Sequence, residues 1–147
     1  MKLWKFRVNY NSKSLIKLAS IFSRIIAGEI PCYKIAENDK FFAFLDVFPL
    51  VHGHVLVVPK TETDYIFDIA DADLAEMMVF AKKVAKAIKL AVPCKRIGVA
   101  VIGLEVPHAH IHLVPMNTAN DINFTQAKLT PTAEELSVIA VKIRSVF

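Results

Sequence analysis

An alternating run between Pro107 and Pro115 carries three of the chain's five histidines, His108, His110 and His112. On a β-strand this period of two places three imidazoles on one face and the intervening apolar side chains on the other. Neighbouring rings about 6.5 to 7 Å apart disfavour one another's protonation, so neutral rings remain that can act as bases or nucleophiles. The pattern therefore predicts a strand that carries chemistry rather than three isolated structural histidines.

Two kinds of chemistry fit these histidines, and the first is metal binding, because neutral imidazole is a common ligand for zinc, copper and iron. On a straight strand the Cα atoms of His108 and His112 would be about 13 Å apart, too far for both rings to bind one zinc ion at about 2.1 Å. A pair such as His108 and His110 could share an ion, but no spacing singles out a further ligand. A metal-dependent hydrolase that uses paired histidines stays open as an alternative.

The second kind of chemistry is nucleophilic attack by one ring nitrogen while a hydrogen bond holds the other nitrogen. His110 is the natural attacker, because histidines flank it on both sides and can donate protons to a leaving group or to phosphate oxygens. Asp46 ends an apolar strand and could accept hydrogen bonds from the vicinal hydroxyls of a ribose. The same residue fits equally well as a turn aspartate before Pro49.

The elements that must position these residues form an α+β pattern, with helices flanking a mainly antiparallel sheet of about five strands. A short helix is predicted from Ala19 to a left-handed cap at Gly28, a long one from an Asp73–Glu76 capping box to Ala91, and a last one after Thr132. The predicted strands lie at residues 33–36, 41–45, 54–58, 96–102 and 108–114.

The chain has 147 residues, of which 54% are hydrophobic, and a net charge of +4. These values fit one globular domain, which we place at residues 19–147 after a flexible extension over residues 1–18. No apolar run reaches the length of a membrane span, and two distant cysteines favour the reducing cytoplasm. No nucleic-acid partner is predicted, because four lysines form the solvated face of the long helix: Lys82, Lys83, Lys86 and Lys89.

The sequence resembles the histidine triad (HIT) family of nucleotide-binding hydrolases and transferases, whose signature is H-x-H-x-H followed by apolar residues. Three further segments are similar in the same order: residues 21–31 to the family's opening helix, residues 43–49 to its ribose-binding strand, and residues 53–60 to the next strand and turn. The resemblance implies a single antiparallel sheet that continues across a two-fold homodimer.

The resemblance also implies a reaction. His110 would attack the α-phosphate of a purine nucleoside phosphoramidate or a dinucleoside polyphosphate, and water would resolve the nucleotidyl-histidine. His112 would assist the leaving group, His108 would orient the site through hydrogen bonds, and His54 would support the triad without touching substrate. The nucleotide-binding residues implied in this way are Phe22, Ile25, Phe44 and Val47 for the base and Asp46 for the ribose.

The opening helix departs from one pattern within the family. Some bacterial members bind a structural zinc through a C-x-x-C in this helix together with the residues that match His54 and His108. The two cysteine positions are here Ser20 and Ser23. We therefore expect no bound metal and no other cofactor.

The loop before the triad departs from the family pattern as well. Residues 99–107 are fewer than usual and lack the expected Asn and Gln, and Glu105 lies among them. Its carboxylate would repel an α-phosphate unless it faces away or binds a leaving amine. The altered loop keeps a further alternative open, a nucleotide-binding or signalling module with vestigial catalysis.

Overall fold

The computed structural model describes residues 19–147, and the predicted extension over residues 1–18 lies outside the described residues. Five strands form one antiparallel sheet, and three α-helices accompany it in the described part of the chain, which confirms the predicted α+β architecture. The strands are β1 Lys34–Glu37, β2 Phe41–Leu45, β3 Val55–Pro59, β4 Arg96–Ala100 and β5 Ile111–Met116, in the spatial order β1-β2-β3-β5-β4. The helices are α1 Ile21–Ile26, α2 Asp71–Ala91 and α3 Ala133–Arg144.

Alternation along the strands separates two apolar clusters, one on each face of the sheet. In β2 the odd-numbered residues pack in a large cluster with α2 and α3, and the even-numbered phenylalanines pack in a smaller cluster with Phe22 of α1. His112 of β5 pairs in register with Leu56, a member of the smaller cluster. The α1 face of the sheet therefore carries the histidine side chain of β5.

The strand that carries the histidines begins later than predicted. β5 starts at Ile111, so only His112 of the three triad residues lies in the ladder. Continuing the register would place Pro59 opposite Ala109, and proline has no N–H to donate. The Ala109 N–H instead donates to the carbonyl of Thr63 at 2.6 Å. Ala109 and Ile111 still pack in the large cluster, so the predicted partition of apolar and histidine side chains is confirmed.

The start of α2 also differs from the prediction. The helix begins at Asp71, so Asp73 and Glu76 both lie inside it, and the N-cap Ala70 makes no side-chain capping bond. The prediction of an Asp73–Glu76 capping box is therefore wrong. Both carboxylates bind Nζ of Lys40 instead, at 2.9 Å and 2.8 Å. The two carboxylates therefore bind a lysine that lies before β2 and do not cap their own helix.

The remaining boundaries lie close to the predicted ones. α3 begins after Thr132 with the predicted capping box, in which Thr132 and Glu135 satisfy each other's backbone N–H groups. β4 ends at Ala100 rather than at residue 102. Among the helices of residues 19–147, none combines the length and apolar character needed to cross a membrane.

The connection between β2 and β3 depends on Gly53. Its φ is +86°, in the left-handed region that favours glycine, and a Cβ built there would lie 2.9 Å from Cγ2 of Val92. Gly53 directly precedes His54, which is 1% exposed. The tight turn therefore determines where the His54 ring enters the core.

We predict that Gly53→Ala destabilises the protein more than Gly28→Ala. Both glycines have positive φ, but a Cβ at Gly28 meets nothing within 4 Å. Backbone strain alone should cost about 1 kcal/mol at Gly28, and the contact with Val92 should raise the loss at Gly53 to about 2–3 kcal/mol. Urea unfolding of the two variants measures this difference, and equal losses would show that Val92 does not restrict the turn.

Candidate active site

A hydrogen bond to the main chain orients His110. Its Nδ1 lies 2.7 Å from the carbonyl oxygen of His108, and because a carbonyl only accepts, Nδ1 carries the proton. The lone pair of the neutral ring is therefore on Nε2. Nε2 of His110 has no hydrogen-bond partner among the described residues, whereas every buried side-chain nitrogen of these residues has one. Nε2 is therefore accessible to solvent. His110 thus offers a nucleophilic nitrogen in a fixed tautomer.

His112 is oriented by a chain of two hydrogen bonds. The backbone N–H of Leu50 donates to Nδ1 of His54 at 3.2 Å, and Nε2 of His54 lies 3.0 Å from Nδ1 of His112. Because Nδ1 of a neutral His54 accepts, its Nε2 donates, and Nδ1 of His112 must accept. His112 therefore carries its proton on Nε2, where it can donate to a substrate. The structure places His54 in direct contact with His112.

His108 is fully buried, and both of its ring nitrogens are occupied. Nε2 donates to the carbonyl of Pro59 at 2.8 Å, so Nδ1 accepts from the hydroxyl of Ser20 at 2.7 Å. The ring also packs edge-on against Phe22, with centroids 5.8 Å apart. His108 thus fixes its own backbone carbonyl, which is the acceptor for His110.

Glu62 completes a network around His108 that the sequence analysis did not predict. Its Oε2 accepts from the backbone N–H of Ser20 at 2.9 Å and from the hydroxyl of Ser23 at 2.6 Å. Ser20 is the N-cap of α1, so this carboxylate ties α1 to the segment after β3. Glu62 thus joins the two serines near His108, whereas His54 contacts His112.

Asp46 lies at the end of β2 beside His54. Its Oδ1 accepts from the backbone N–H of Phe48 at 2.9 Å, which is the predicted turn role. Its Oδ2 lies 3.7 Å from Nδ1 of His54, beyond hydrogen-bond length. One carboxylate oxygen therefore stabilises the turn, and the ribose contact stays a prediction.

The four residues expected around a base divide into buried and exposed positions. Phe22 and Phe44 are 7% and 4% exposed and pack edge-on with centroids 5.5 Å apart. Ile25 is partly buried against the same cluster, whereas Val47 is 43% exposed. Phe22 also contacts His110, with centroids 5.1 Å apart, so this group borders the attacking ring.

A cavity of about 220 Å³ lies on a different border of the triad. His110 and His112 contribute to its wall together with residues 102–105, Phe124 and Lys128. The Phe124 ring packs edge-on against His112, with centroids 4.8 Å apart. Phe124 and Lys128 were not predicted, because no local pattern distinguishes them and only the fold returns their segment to the triad.

Three groups lie close enough to hold a metal ion. Ligand atoms of Asp46, His54 and His112 lie within 4.8 Å of one another. This set differs from the His108–His110 pair that the sequence analysis gave as an example. Both nitrogens of His54 already have hydrogen-bond partners, so an ion bound to His54 would have to displace either Leu50 or His112.

Burial keeps two of these rings neutral. Desolvation, together with the neighbouring His110, His54 and Lys128, lowers the pKa of His112 from 6.5 to about 3. Desolvation lowers the pKa of His54 to about 4, against the opposing effect of the Asp46 carboxylate. The hydrogen bonds from Leu50 to His54 and from His54 to His112 require both rings to be neutral, because one nitrogen of each ring accepts.

Comparison with known proteins shows which family the chain belongs to. The HIT domain family model matches residues 27–119. An adenosine 5′-monophosphoramidase of Saccharomyces cerevisiae is 37% identical over 106 residues, which cover 71% of this chain and 67% of the yeast protein. An adenosine 5′-monophosphoramidase of Schizosaccharomyces pombe is 34% identical over 99 residues, which cover 67% of this chain and 74% of that protein.

A solved structure shares the fold. A Hit-like protein involved in cell-cycle regulation from Bartonella henselae superposes with a TM-score of 0.75 at 31% identity, covering 87% of this chain and 96% of that one. The stretch matched by the family model includes the three triad histidines and His54, whereas Phe124 and Lys128 lie beyond it. Two of the residues that line the cavity therefore lie outside the matched stretch.

We predict that acid destabilises the protein through His54 and His112. Their pKa values fall from 6.5 to about 4 and about 3 in the folded chain, so between these values and 6.5 the unfolded chain binds more protons. The free energy of unfolding should therefore fall as the pH is lowered from about 6.5 towards 4, by on the order of a few kcal/mol. Urea unfolding at pH 7, 5.5 and 4.5 measures the slope.

His112→Gln should make this slope shallower, and His52→Gln serves as the control because His52 is exposed. A slope that is flat in the parent protein, or equal in the parent and His112→Gln, would contradict a neutral buried His112.

Proposed function

Because the chain belongs to the HIT domain family, we propose that it is a nucleotide hydrolase or nucleotidyltransferase that attacks the α-phosphate of its substrate through Nε2 of His110. The main support is the 2.7 Å hydrogen bond from Nδ1 of His110 to the carbonyl of His108. That bond leaves the accessible nitrogen unprotonated, and it also stabilises the positive charge that develops on the ring during attack.

In the first step of the proposed reaction, Nε2 of His110 forms a bond to the α-phosphorus while the bond to the leaving group breaks. Nε2–H of His112 donates a hydrogen bond to the atom that leaves, since its Nδ1 already accepts from His54, and the leaving group takes up a proton from solvent. In the second step a water molecule attacks the nucleotidyl-histidine. The N–P bond breaks, a proton of the water molecule passes to solvent, and the products are a nucleoside monophosphate and a free His110.

The proposed substrates are purine nucleoside phosphoramidates or dinucleoside polyphosphates. Two relatives that carry the name adenosine 5′-monophosphoramidase, at 37% and 34% identity, support an adenosine phosphoramidate as the first substrate to test. Phe22, Ile25, Phe44 and Val47 would contact the base, and Asp46 would contact the ribose with the oxygen that is not used in its turn. Two free cysteines support our proposal of the cytoplasm as the compartment.

We also propose that the protein is a two-fold homodimer whose sheet continues across β4. β4 is at one edge of the sheet, and Val99 on it is 51% exposed. Beyond it Val101, Ile102 and Leu104 are 40%, 46% and 89% exposed. An edge strand with an exposed apolar row is suited to pairing with a second copy.

We predict that Val99→Lys shifts the dimer towards monomer, because a buried lysine opposes edge-to-edge pairing. Size-exclusion chromatography with light scattering over a range of protein concentrations gives the molar mass. Lys82→Glu on the exposed face of α2 controls for a change of charge. A parent protein that is monomeric at all concentrations would refute the proposed dimer.

We predict that His110→Ala abolishes formation of the nucleotidyl-enzyme and lowers kcat by on the order of a thousandfold or more, because the attacking nitrogen is lost. Intact-protein mass spectrometry of chelator-treated protein, mixed with adenosine 5′-phosphoramidate and quenched early, detects the adduct. His52→Ala is the matched control, since His52 is an exposed histidine outside the triad.

The three outcomes of this experiment separate the functions under consideration. Turnover with an adduct that disappears in His110→Ala supports the proposal. Loss of turnover on chelation, restored by a metal ion, would favour a metal-dependent hydrolase that uses Asp46, His54 and His112. Bound nucleotide without turnover or adduct would favour a binding module.

A further inference from the structure

The cavity beside the triad contains groups that the proposed reaction does not use. His110 and His112 occupy one part of its wall, and the remainder is formed by residues 102–105, Phe124 and Lys128. The base-contacting candidate Phe22 borders His110 but is not part of this wall. A nucleotide whose base lay near Phe22 and whose α-phosphate lay at His110 would direct its leaving group into the cavity.

Two opposite charges lie at the mouth of the cavity. Nζ of Lys128 is 3.7 Å from Oε2 of Glu105, and their side chains are 39% and 84% exposed. A contact of this length with an exposed carboxylate contributes little free energy, so an incoming anion can replace Glu105 as the partner of Lys128. Leu104, next to Glu105, is 89% exposed, so the tip of this loop makes few contacts.

The positive charge of Lys128 acts on the buried histidines of the site. The charge of Lys128 is among the causes that lower the pKa of both His54 and His112. Glu105 also contributes to the cavity wall, and its carboxylate lies 3.7 Å from Nζ of Lys128. Of the two charged side chains, Lys128 is the less exposed, and it shares the cavity wall with His110 and His112.

We propose that Lys128 and the cavity form a subsite for an anionic leaving group, with Glu105 as the counter-ion of Lys128 when the subsite is empty. The inference rests on the proposed function and names its substrate class. The preferred substrates are nucleotides in which the group bonded to the α-phosphate carries a further phosphate or a carboxylate. Substrates with a simple uncharged amine are used less well.

The bonds made and broken are those of the proposed reaction. When the α-phosphorus bonds to His110, the leaving group departs with its own negative charge, accepts a hydrogen bond from Nε2–H of His112 and takes up a proton from solvent. Lys128 offsets the charge that departs with it, through a charge-assisted hydrogen bond. A leaving amine without an acidic group would gain nothing from this contact.

The experiment compares two nearly isosteric substrates, adenosine 5′-phosphoramidates of glycine and of glycinamide, which differ in one carboxylate. Diadenosine tetraphosphate supplies a leaving group with phosphate charges. The ratio of kcat/KM for each anionic substrate to that for the glycinamide compound is measured in the parent protein, Lys128→Gln and Lys128→Arg. Lys82→Gln on α2 is the control for the loss of one positive charge at an exposed site.

We predict that Lys128→Gln lowers this ratio about tenfold and that Lys128→Arg retains most of it, because the loss of one charge-assisted hydrogen bond at a partly exposed site has that magnitude. A fall confined to the glycine compound identifies a carboxylate as the natural anion, and a fall confined to the tetraphosphate identifies a phosphate. Ratios that are unchanged for both substrates, or lowered equally in Lys82→Gln, overturn the proposal.

Failure of the proposed function gives a different result. If the parent protein turns over none of the three substrates, the affinities for ADP and AMP are compared by calorimetry. A preference for ADP that disappears in Lys128→Gln supports the anionic subsite in a binding protein. Equal affinities in the parent protein, or a preference that Lys128→Gln retains, overturn it.

Discussion

The hydrogen bond between Nδ1 of His110 and the carbonyl oxygen of His108 is the interaction on which the proposed chemistry depends. It is 2.7 Å long and fixes which nitrogen of His110 carries a lone pair. The carbonyl itself is held because the His108 ring is anchored at both nitrogens, to Pro59 and to Ser20. The late start of β5 belongs to the same arrangement, because His108 and His110, whose imidazole rings make these hydrogen bonds, lie in the segment that precedes the ladder.

His112 has the opposite tautomer to His110. The bonds from Leu50 to His54 and from His54 to His112 leave a proton on Nε2 of His112, whereas His110 has a lone pair there. Two neighbouring rings, with centroids 4.8 Å apart, thus present one acceptor and one donor. Burial keeps His54 and His112 neutral, so the donor role of His112 persists through the physiological pH range.

Several features were predictable from the sequence because they depend on local spacing. The alternation from His108 to His112 predicted which side chains face the helices, and the Thr132–Glu135 spacing predicted the start of α3. The start of β5 was not predictable, because it depends on a proline in another strand. Glu62 is 42 residues from Ser20, so their hydrogen bond follows from the fold and not from any local pattern. Asp73 shows the converse, a plausible local cap that a distant lysine binds instead.

The central claim is that the fold sets the tautomers of the triad, and nitrogen NMR of ¹⁵N-histidine-labelled protein at neutral pH tests it most directly. Long-range ¹H–¹⁵N correlation spectra distinguish the two ring tautomers, and single His→Gln variants assign the signals. The account predicts a proton on Nδ1 of His110 and on Nε2 of His54, His108 and His112. A proton on Nε2 of His110, or a charged imidazolium at His112 at pH 7, would contradict it.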